Sequence, residues 1–524
     1  MPDYTSWTGQ TATVTSPSIL FQHVADRRSD GRGGIPEYFT DLNLDQIVAA
    51  VTAGKDEYDL KPFFYAPLQD LDAIEFRHEV FRDLEQPALF DDIKAFAQAM
   101  RTVREHLKLS EKVRHPLQRQ RWFLDATVTY CQAMLRLAQD LSCAKLASRG
   151  FVKFQEYVGR YIAAAKFSSL LEHANDLTAK ISSIHYAILI QGPRVDVRHY
   201  KSEEDYSAEV LATFDRFRQG AARGYKFDFG DSPDANHIEE QILDRVALLN
   251  GVIFAALHDY FETQQDFQDP MITEFDREIQ FYIAYLEYIS RLMAAGLKFC
   301  YPRVTEARGE IFNEQGFDLA LAGTLVSANT APVCNDFHMR GRERIIVVSG
   351  PNQGGKTTFA RTFGQLHHLA SVGCLVPGRR ARLYLFDNIF THFERSEQMV
   401  SFHGKLQDDL IRIHRILEAA TPRSIVIMNE IFTSTTLRDA LSLSRRIAQT
   451  IIDLDLYCIW VSFIDEVSLL GEKIVSMVST VVPDNPTQRT FKIVRRPADG
   501  LAYAISIAEK YRLTYDMIKE RVSQ

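Results

Sequence analysis

One short run constrains this chain more than any other. The apolar stretch Arg344-Ile-Ile-Val-Val-Ser349 leads straight into Gly350-Pro351-Asn352-Gln353-Gly354-Gly355-Lys356-Thr357, and a helical pattern opens near Thr358. A buried strand, a G-x-x-x-x-G-K-T loop and a helix in that order make a phosphate cradle. The glycines let backbone amides close round a phosphate at the helix N-terminus, where the helix dipole favours negative charge. Lys356 is placed to reach the β- and γ-phosphates of a nucleotide, and Thr357 to offer its hydroxyl to Mg²⁺. Such a loop needs a sheet whose strands end beside it. From about Thr305 onward the apolar runs Ile345–Ser349, Ser424–Met428 and Leu456–Ser462 alternate with helical segments, the pattern of an α/β domain.

The second half of a phosphate site is an acidic residue closing a neighbouring buried strand, and Ser424-Ile-Val-Ile-Met-Asn429-Glu430 supplies it. The position that faces magnesium is ordinarily Asp and here is Asn429. An amide oxygen can hold a metal-bound water but brings no charge, so Mg²⁺ is expected to be held less firmly. Glu430 is the residue expected to orient or deprotonate the attacking water. The sequence therefore points to ATP and Mg²⁺ as cofactors, with Gly350 to Thr358 and Asn429 as binding residues, Thr357 and Asn429 on the metal side, and Glu430 as the catalytic group.

The preceding part of the chain has a different texture. With 524 residues there is room for two to four domains. Residues 1–40 read as irregular, with a turn-rich run over Asp26–Pro36, and residues 42–177 and 238–295 read as mostly helical, with Pro270 as a break. Between them Ile184–Tyr200 and Tyr225–Phe229 alternate like strands around Gly192-Pro193, which suggests an arm with a β tip. Residues 1–330 hold 35 Lys and Arg against 48 Asp and Glu, a net −13, so the remaining 194 residues carry +5 of the total −8. Any nucleic-acid surface must therefore be local. The densest basic run is Arg101, Arg104, Lys108, Lys112, Arg114, Arg119 and Arg121, which reads first as a solvated helix face and second as a phosphate contact. Six scattered cysteines form no Cys-x-x-Cys pair, which argues against zinc and a disulfide framework. The longest apolar stretches fall short of a membrane span and the N-terminus shows no secretion signal, so no membrane partner and a cytoplasmic location are the expectations.

These residues also carry a resemblance. The loop GPNQGGKTT is similar to the GPNMGGKST of the MutS DNA mismatch-repair ATPases. Val333-Cys334-Asn335-Asp336 upstream, Leu375-Val376-Pro377 and Phe386-Asp387-Asn388-Ile389-Phe390-Thr391 downstream, Ile416-Leu417 with Ala420-Thr421 and Ser424, Asp439, and Asp499-Gly500 to Ala508 all resemble further elements of that family. Ala66-Pro67-Leu68 with Asp70, Ile74 and Arg77 resembles the start of its helical lever domain, and Ala294 to Val304 its end.

The resemblance implies a multidomain chain: an irregular segment at 1–40, a mainly α lever domain at 41–304 with a small β-containing clamp-like insertion at about 184–230, and an α/β ABC-type P-loop ATPase domain at 305–524. It implies ATP hydrolysis in a homodimer bridged by nucleotide through the ATPase domains, with DNA as partner. Several positions depart from the family. Only about 40–60 residues precede the lever, which leaves no room for the mismatch-reading and connector domains. The Phe-x-Glu triplet Phe154-Gln155-Glu156 reads as coincidence within a helix. Gly404-Lys405-Leu406 stands where the family reaches the partner's nucleotide with Ser-Thr-Phe, leaving Lys405 as the candidate to meet that γ-phosphate. Ser462-Phe463 replaces the Thr-His of the late switch strand, and the chain stops soon after the last matched helix. These departures keep a second reading open: an ATP-gated structural or assembly switch, slow in hydrolysis and without direct DNA binding. An ABC or SMC relative outside MutS is disfavoured, for there is no L-S-G-G-Q-type signature and no long heptad run.

Overall fold

The computed structural model describes residues 17–22, 34–192, 194–202, 237–394, 404–483, 485–498, 515 and 518–519. The strand-like run Tyr225–Phe229, residues 26–33 of the turn-rich stretch and the closing segment from Asp499 to Ala508 lie outside them. The chain forms two compact units, one of residues 1–82, 148–150 and 277–524, the other of residues 83–147 and 151–276.

The first unit opens with three short helices, α1 (Tyr38–Asp41), α2 (Leu44–Val51) and α3 (Lys61–Tyr65), followed by α4 (Leu71–Asp83). Residues 17–22 have no helix or strand but are tied down. Ser18 Oγ donates to Glu278 at 2.7 and 2.8 Å and the Ile19 amide donates to the same carboxylate at 2.9 Å. Arg77 donates to the carbonyls of Leu20 (3.1 Å) and Val372 (2.8 Å). Both charged side chains are buried, and only such partners make a buried charge tolerable.

The second unit is helical. In α5 (Pro87–Lys112) and α6 (Pro116–Cys143) a proline occupies the first turn, where its missing N–H costs nothing. Leu89, Ile93, Phe96, Met100 and Val103 of the first, and Phe123, Tyr130, Met134, Leu137 and Leu141 of the second, are buried along helical stripes. Next come α7 (Arg149–Ala163), α8 (Ala165–Ser182), the hairpin β1 (Tyr186–Gln191) and β2 (Arg194–His199), then α9 (His237–Leu249) and α10 (Gly251–Thr263). The hairpin is antiparallel and pairs Gln191 with Arg194, so the chain reverses between these two residues, where the alternation suggests. Phe154 is buried and stacked on Phe275, centroids 3.6 Å apart and planes at 10°, so the Phe-x-Glu triplet belongs to the core. The basic run is largely committed locally: Arg101 pairs with Glu105 (3.2 Å), Arg121 with Asp125 (2.8 Å), Arg104 with the buried Asp276, and Arg119 lies over Phe261. Among the described residues no single helix is long and apolar enough to cross a membrane; α9 and α10 pass together but meet at 105°.

Helix α11 (Pro270–Ala294) opens at the proline read as a break, and the chain returns to the first unit. There follow β3 (Phe299–Cys300), β4 (Arg303–Thr305), β5 (Ile311–Gly316), α12 (Leu319–Ser327), β6 (Asn335–Met339), β7 (Ile345–Ser349), α13 (Lys356–Ser371), β8 (Val376–Pro377), β9 (Arg380–Tyr384) and β10 (Ile389–His392). The remaining elements are α14 (Lys405–Ala419), β11 (Ile425–Asn429), α15 (Leu437–Leu454), β12 (Tyr457–Val461), β13 (Ile474–Val482) and β14 (Asn485–Arg495). The main sheet has the order β10-β11-β12-β7-β13-β14, parallel except for β14. A four-stranded sheet, β4-β9-β5-β6, stands beside it in sequence. Strands β7, β11 and β12 are buried throughout, which is why they read as unbroken apolar runs rather than alternating ones. Because they are parallel, their C-terminal ends share one edge, where ligands bind in open α/β sheets. That edge gathers the loop after Ser349, the pair Asn429-Glu430 and Ser462-Phe463.

Helix α13 is buried from both sides. A Cβ on Gly364 would come within 2.6 Å of Leu42 and 2.8 Å of Ile427, so glycine is what lets α13 lie this close. His367 and His368 are packed inside: His368 meets the Phe64 carbonyl at 2.8 Å and the Tyr38 hydroxyl at 3.1 Å. Burial pushes both imidazoles down to about 4.

Two outcomes are expected. In the unfolded chain these histidines take up protons near 6.5, so their contribution to stability is complete above that pH and drains away as pH falls towards 4. Denaturation midpoints measured between pH 7.5 and 4.5 should fall accordingly, and His367→Phe should flatten the decline. Phe154→Ala should cost the second unit about 3–5 kcal/mol in chemical denaturation, as for a buried aromatic.

Candidate nucleotide site

The loop between β7 and α13 owes its shape to backbone that side chains rarely adopt. Gly350 has φ 111° and Gly355 φ 89°, with Gln353 at φ 60° between them. A Cβ on Gly350 would stand 2.8 Å from the Ser479 carbonyl oxygen, so β13 passes too close for any other residue. Ser479 also donates from Oγ to the Gly354 carbonyl at 2.7 Å, bracing the loop from the adjacent strand.

Lys356 begins α13, two residues earlier than the pattern suggests, and its side chain folds back into the loop. Its Nζ donates to the carbonyls of Gly350 (2.9 Å) and Pro351 (3.3 Å) and to Asn352 Oδ1 (3.1 Å), and lies 3.6 Å from Glu430 Oε1. Only 4% of the lysine side chain is exposed. Burial lowers the ammonium's pKa, and the Glu430 carboxylate works against that shift. Glu430 itself has φ 51°, with Phe432 at φ 62° two residues on, and its amide donates to the Val461 carbonyl at 2.9 Å. Left-handed non-glycine residues of this kind collect where a site must aim a side chain.

Thr357 Oγ1 donates to Asn429 Oδ1 at 2.8 Å. The two oxygens expected on the magnesium side therefore stand together beside the loop. Both are neutral oxygen donors, a set that fits a hard cation held chiefly by water and phosphate. Among the described residues no cluster of three or more His, Cys, Asp or Glu could hold a metal by itself. All six cysteines are free.

A cavity of about 750 Å³ opens over the loop, with residues 352–359 and Glu430 in its lining. Phe317, Leu321, Leu325, Val333, Phe337 and Phe491 form its apolar part. Such a volume suits a small ligand, and a lining of both apolar and polar residues suits one that carries an apolar ring and a charged group. Asn335 connects the wall to β14, accepting from the Ile493 amide at 2.8 Å and donating to the Phe491 carbonyl at 3.1 Å. Sequence reasoning found Val333 and Asn335 but missed Phe317, Leu321, Leu325, Phe491 and Ser479. Those residues come from β5–α12, β13 and β14, and no local spacing connects them to the loop.

Gly350 and Pro351 precede the lining residues, and Asn352, Gln353, Gly354, Gly355, Lys356, Thr357 and Thr358 all line the cavity. Asn429 touches it through Thr357. Lys405 is not among the residues that line it: it opens α14 and pairs with Glu394. Asp439 lies in the first turn of α15, which Thr436 caps: Thr436 Oγ1 accepts from the Asp439 amide at 3.2 Å and donates to the Asp439 carboxylate at 2.8 Å. Phe463 is half exposed at the end of β12, while Ser462 is buried and its Oγ accepts from the Ile464 amide at 3.0 Å.

The model of MutS domain V, a P-loop ATPase domain, matches residues 346–522, which take in the loop, Asn429-Glu430 and strands β11 to β14. Over these residues the chain is similar to the MutS family. It is 27% identical over 199 residues to the DNA mismatch repair protein MutS of Chlorobaculum tepidum, covering 37% of this chain and 23% of that protein. With the protein of the same name from Chlorobium phaeovibrioides it shares 26% over 298 residues, 55% of this chain and 33% of the other. With that of Halalkalibacterium halodurans it shares 27% over 188 residues, 35% and 22%. The matched stretches span only between a fifth and a third of these MutS proteins, so their activities do not transfer whole.

Gly350→Ala should lower nucleotide affinity at least about tenfold, since the left-handed φ and the Ser479 contact both oppose a methyl group. Titration with a fluorescent ATP analogue measures this, and an unchanged affinity would count against the loop as the binding element.

Proposed function

We propose that this chain is a MutS-family ATP-binding and ATP-hydrolysing protein that works as a nucleotide-bridged homodimer on DNA without reading base mismatches. The observation that carries the ATPase reading is the placement of Glu430 on the rim of the cavity, 3.6 Å from the buried Lys356 ammonium.

Nucleotide phosphates entering the loop would replace Glu430 and the carbonyls as partners of Lys356, which exchanges a weak ion pair for a multiply charged one. Released from the lysine, the Glu430 carboxylate is free to accept a proton from water aimed at the γ-phosphate. Thr357 and Asn429 would hold Mg²⁺, the latter through water, and the ion would supply neutralising charge at the phosphates. Gly350 to Thr358 bind the nucleotide, and Lys405 meets the γ-phosphate in the partner subunit. In this reading residues 41–304 act as a lever with the 184–230 insertion as a short clamp-like arm, residues 305–524 as the ATPase, and residues 1–40 as a leading segment, in a cytoplasmic protein. Packing of Phe154 against Phe275 supports the absence of an aromatic wedge there.

A second reading has its own support. Asn429 brings no charge to the metal side, and Phe463 stands where the family has histidine, which favours a slow ATP-gated assembly switch that does not touch DNA.

Turnover measured with and without single-stranded, duplex and branched DNA separates the two. Salt-dependent binding and stimulation support the first reading, and no DNA binding at low salt with ATP present rejects it. Glu430→Gln should abolish turnover while leaving ATP bound, and Lys356→Ala should abolish binding; unchanged turnover in Glu430→Gln rejects the catalytic assignment. Asn429→Asp should lower the Mg²⁺ concentration needed for half-maximal turnover several-fold, by about the worth of one added charge in the site.

A further inference from the structure

Helix α14 meets the end of β10 along a single stripe. Lys405, Asp409 and Arg412 stand at i, i+4 and i+7, one face of a helix. Lys405 pairs with Glu394, His392 Nε2 lies 3.3 Å from Asp409 Oδ1, and Arg412 donates to the carbonyls of Phe393 (3.0 Å) and Thr391 (2.9 Å). The deep end of the stripe is closed from a distant part of the chain. Asp41, the last residue of α1, accepts from Thr391 Oγ1 at 2.7 Å and from Arg412 Nη2 at 3.2 Å. Its main-chain oxygen accepts from Arg361 Nε at 2.9 Å, on the helix that begins with Lys356. The next residue, Leu42, fills the notch left by Gly364, and its carbonyl accepts from Gln365 at 2.8 Å.

Asp41 therefore joins three elements: the phosphate-loop helix α13, the sheet-edge strand β10 and α14. Its side chain is only 13% exposed, so its two charge-assisted bonds are stronger than those of a surface pair. We infer that Asp41 is a positioning residue for ATP hydrolysis, fixing the rotation of α14 against the nucleotide-binding helix and thereby the place at which Lys405 is offered to the partner subunit's nucleotide. The inference rests on the dimeric reading of Lys405 given above.

Mixed dimers test it. Asp41→Ala is expected to lower turnover about tenfold with little change in the KM for ATP, as befits a misplaced group that binds no substrate. The defect should lie in trans. In a mixture of Asp41→Ala with Glu430→Gln, mixed dimers contain one site with an intact Glu430 and a Lys405 positioned by an intact Asp41. An equimolar mixture should therefore regain about a quarter of wild-type turnover, well above the average of its parents. Lys405→Ala mixed with Glu430→Gln serves as the reference. If Lys405→Ala is complemented and Asp41→Ala is not, or if Asp41→Ala turns over at the wild-type rate, the inference is overturned. If Lys405→Ala is itself without effect or uncomplemented, the dimeric reading fails instead, and the inference with it. Should Asp41→Ala not fold, Thr391→Val removes the hydroxyl that Asp41 accepts from and is judged by the same complementation.

Discussion

A buried ammonium organises the nucleotide end of this protein. Lys356 has almost no contact with solvent and is held by two carbonyls, an amide oxygen and a carboxylate. None of the first three carries full charge, so burial keeps pressing the lysine towards its neutral form. A cation so placed is poorly satisfied by protein and well satisfied by phosphate. The sharp turns at Gly350 and Gly355, the brace from Ser479 and the left-handed Glu430 all keep the loop in the form that buries this one group.

The sheet is the frame that makes this possible. Parallel β7, β11 and β12 end on the same edge, which brings the loop, Asn429-Glu430 and Ser462-Phe463 together although more than a hundred residues separate the first from the last. Packing of α13 against Leu42 and Ile427 fixes the height of the loop above that edge. Aspartate 41 then ties α13 to β10 and α14. In this way the short helix α1 becomes part of the frame around the phosphate loop.

Much of this could be read in the sequence, and for identifiable reasons. Strand, loop and helix around Gly350 are consecutive, so their meaning is local, and β11 and β12 announce themselves as unbroken apolar runs. The hairpin β1–β2 is likewise a local alternation. What stayed hidden depends on distant segments converging. Phe317, Leu321, Leu325 and Phe491 wall the cavity from β5–α12 and β14, and each looks in sequence like any core residue. Asp41 sits at the boundary between the segment read as irregular and the one read as a helical lever, where nothing nearby hints at Thr391 or Arg412. Lys405 was expected near a nucleotide, yet it pairs with Glu394 and does not line the cavity of its own chain.

Equilibrium titration of the purified chain with MgATP, MgADP and adenosine tests the role of the buried lysine most directly. The result expected is one ATP or ADP per chain, the two competing for the same site, with adenosine weaker by about a hundredfold or more because it offers Lys356 nothing in exchange for its present partners. Adenosine binding as tightly as ATP would contradict it, for recognition would then reside in the apolar wall and not in the loop.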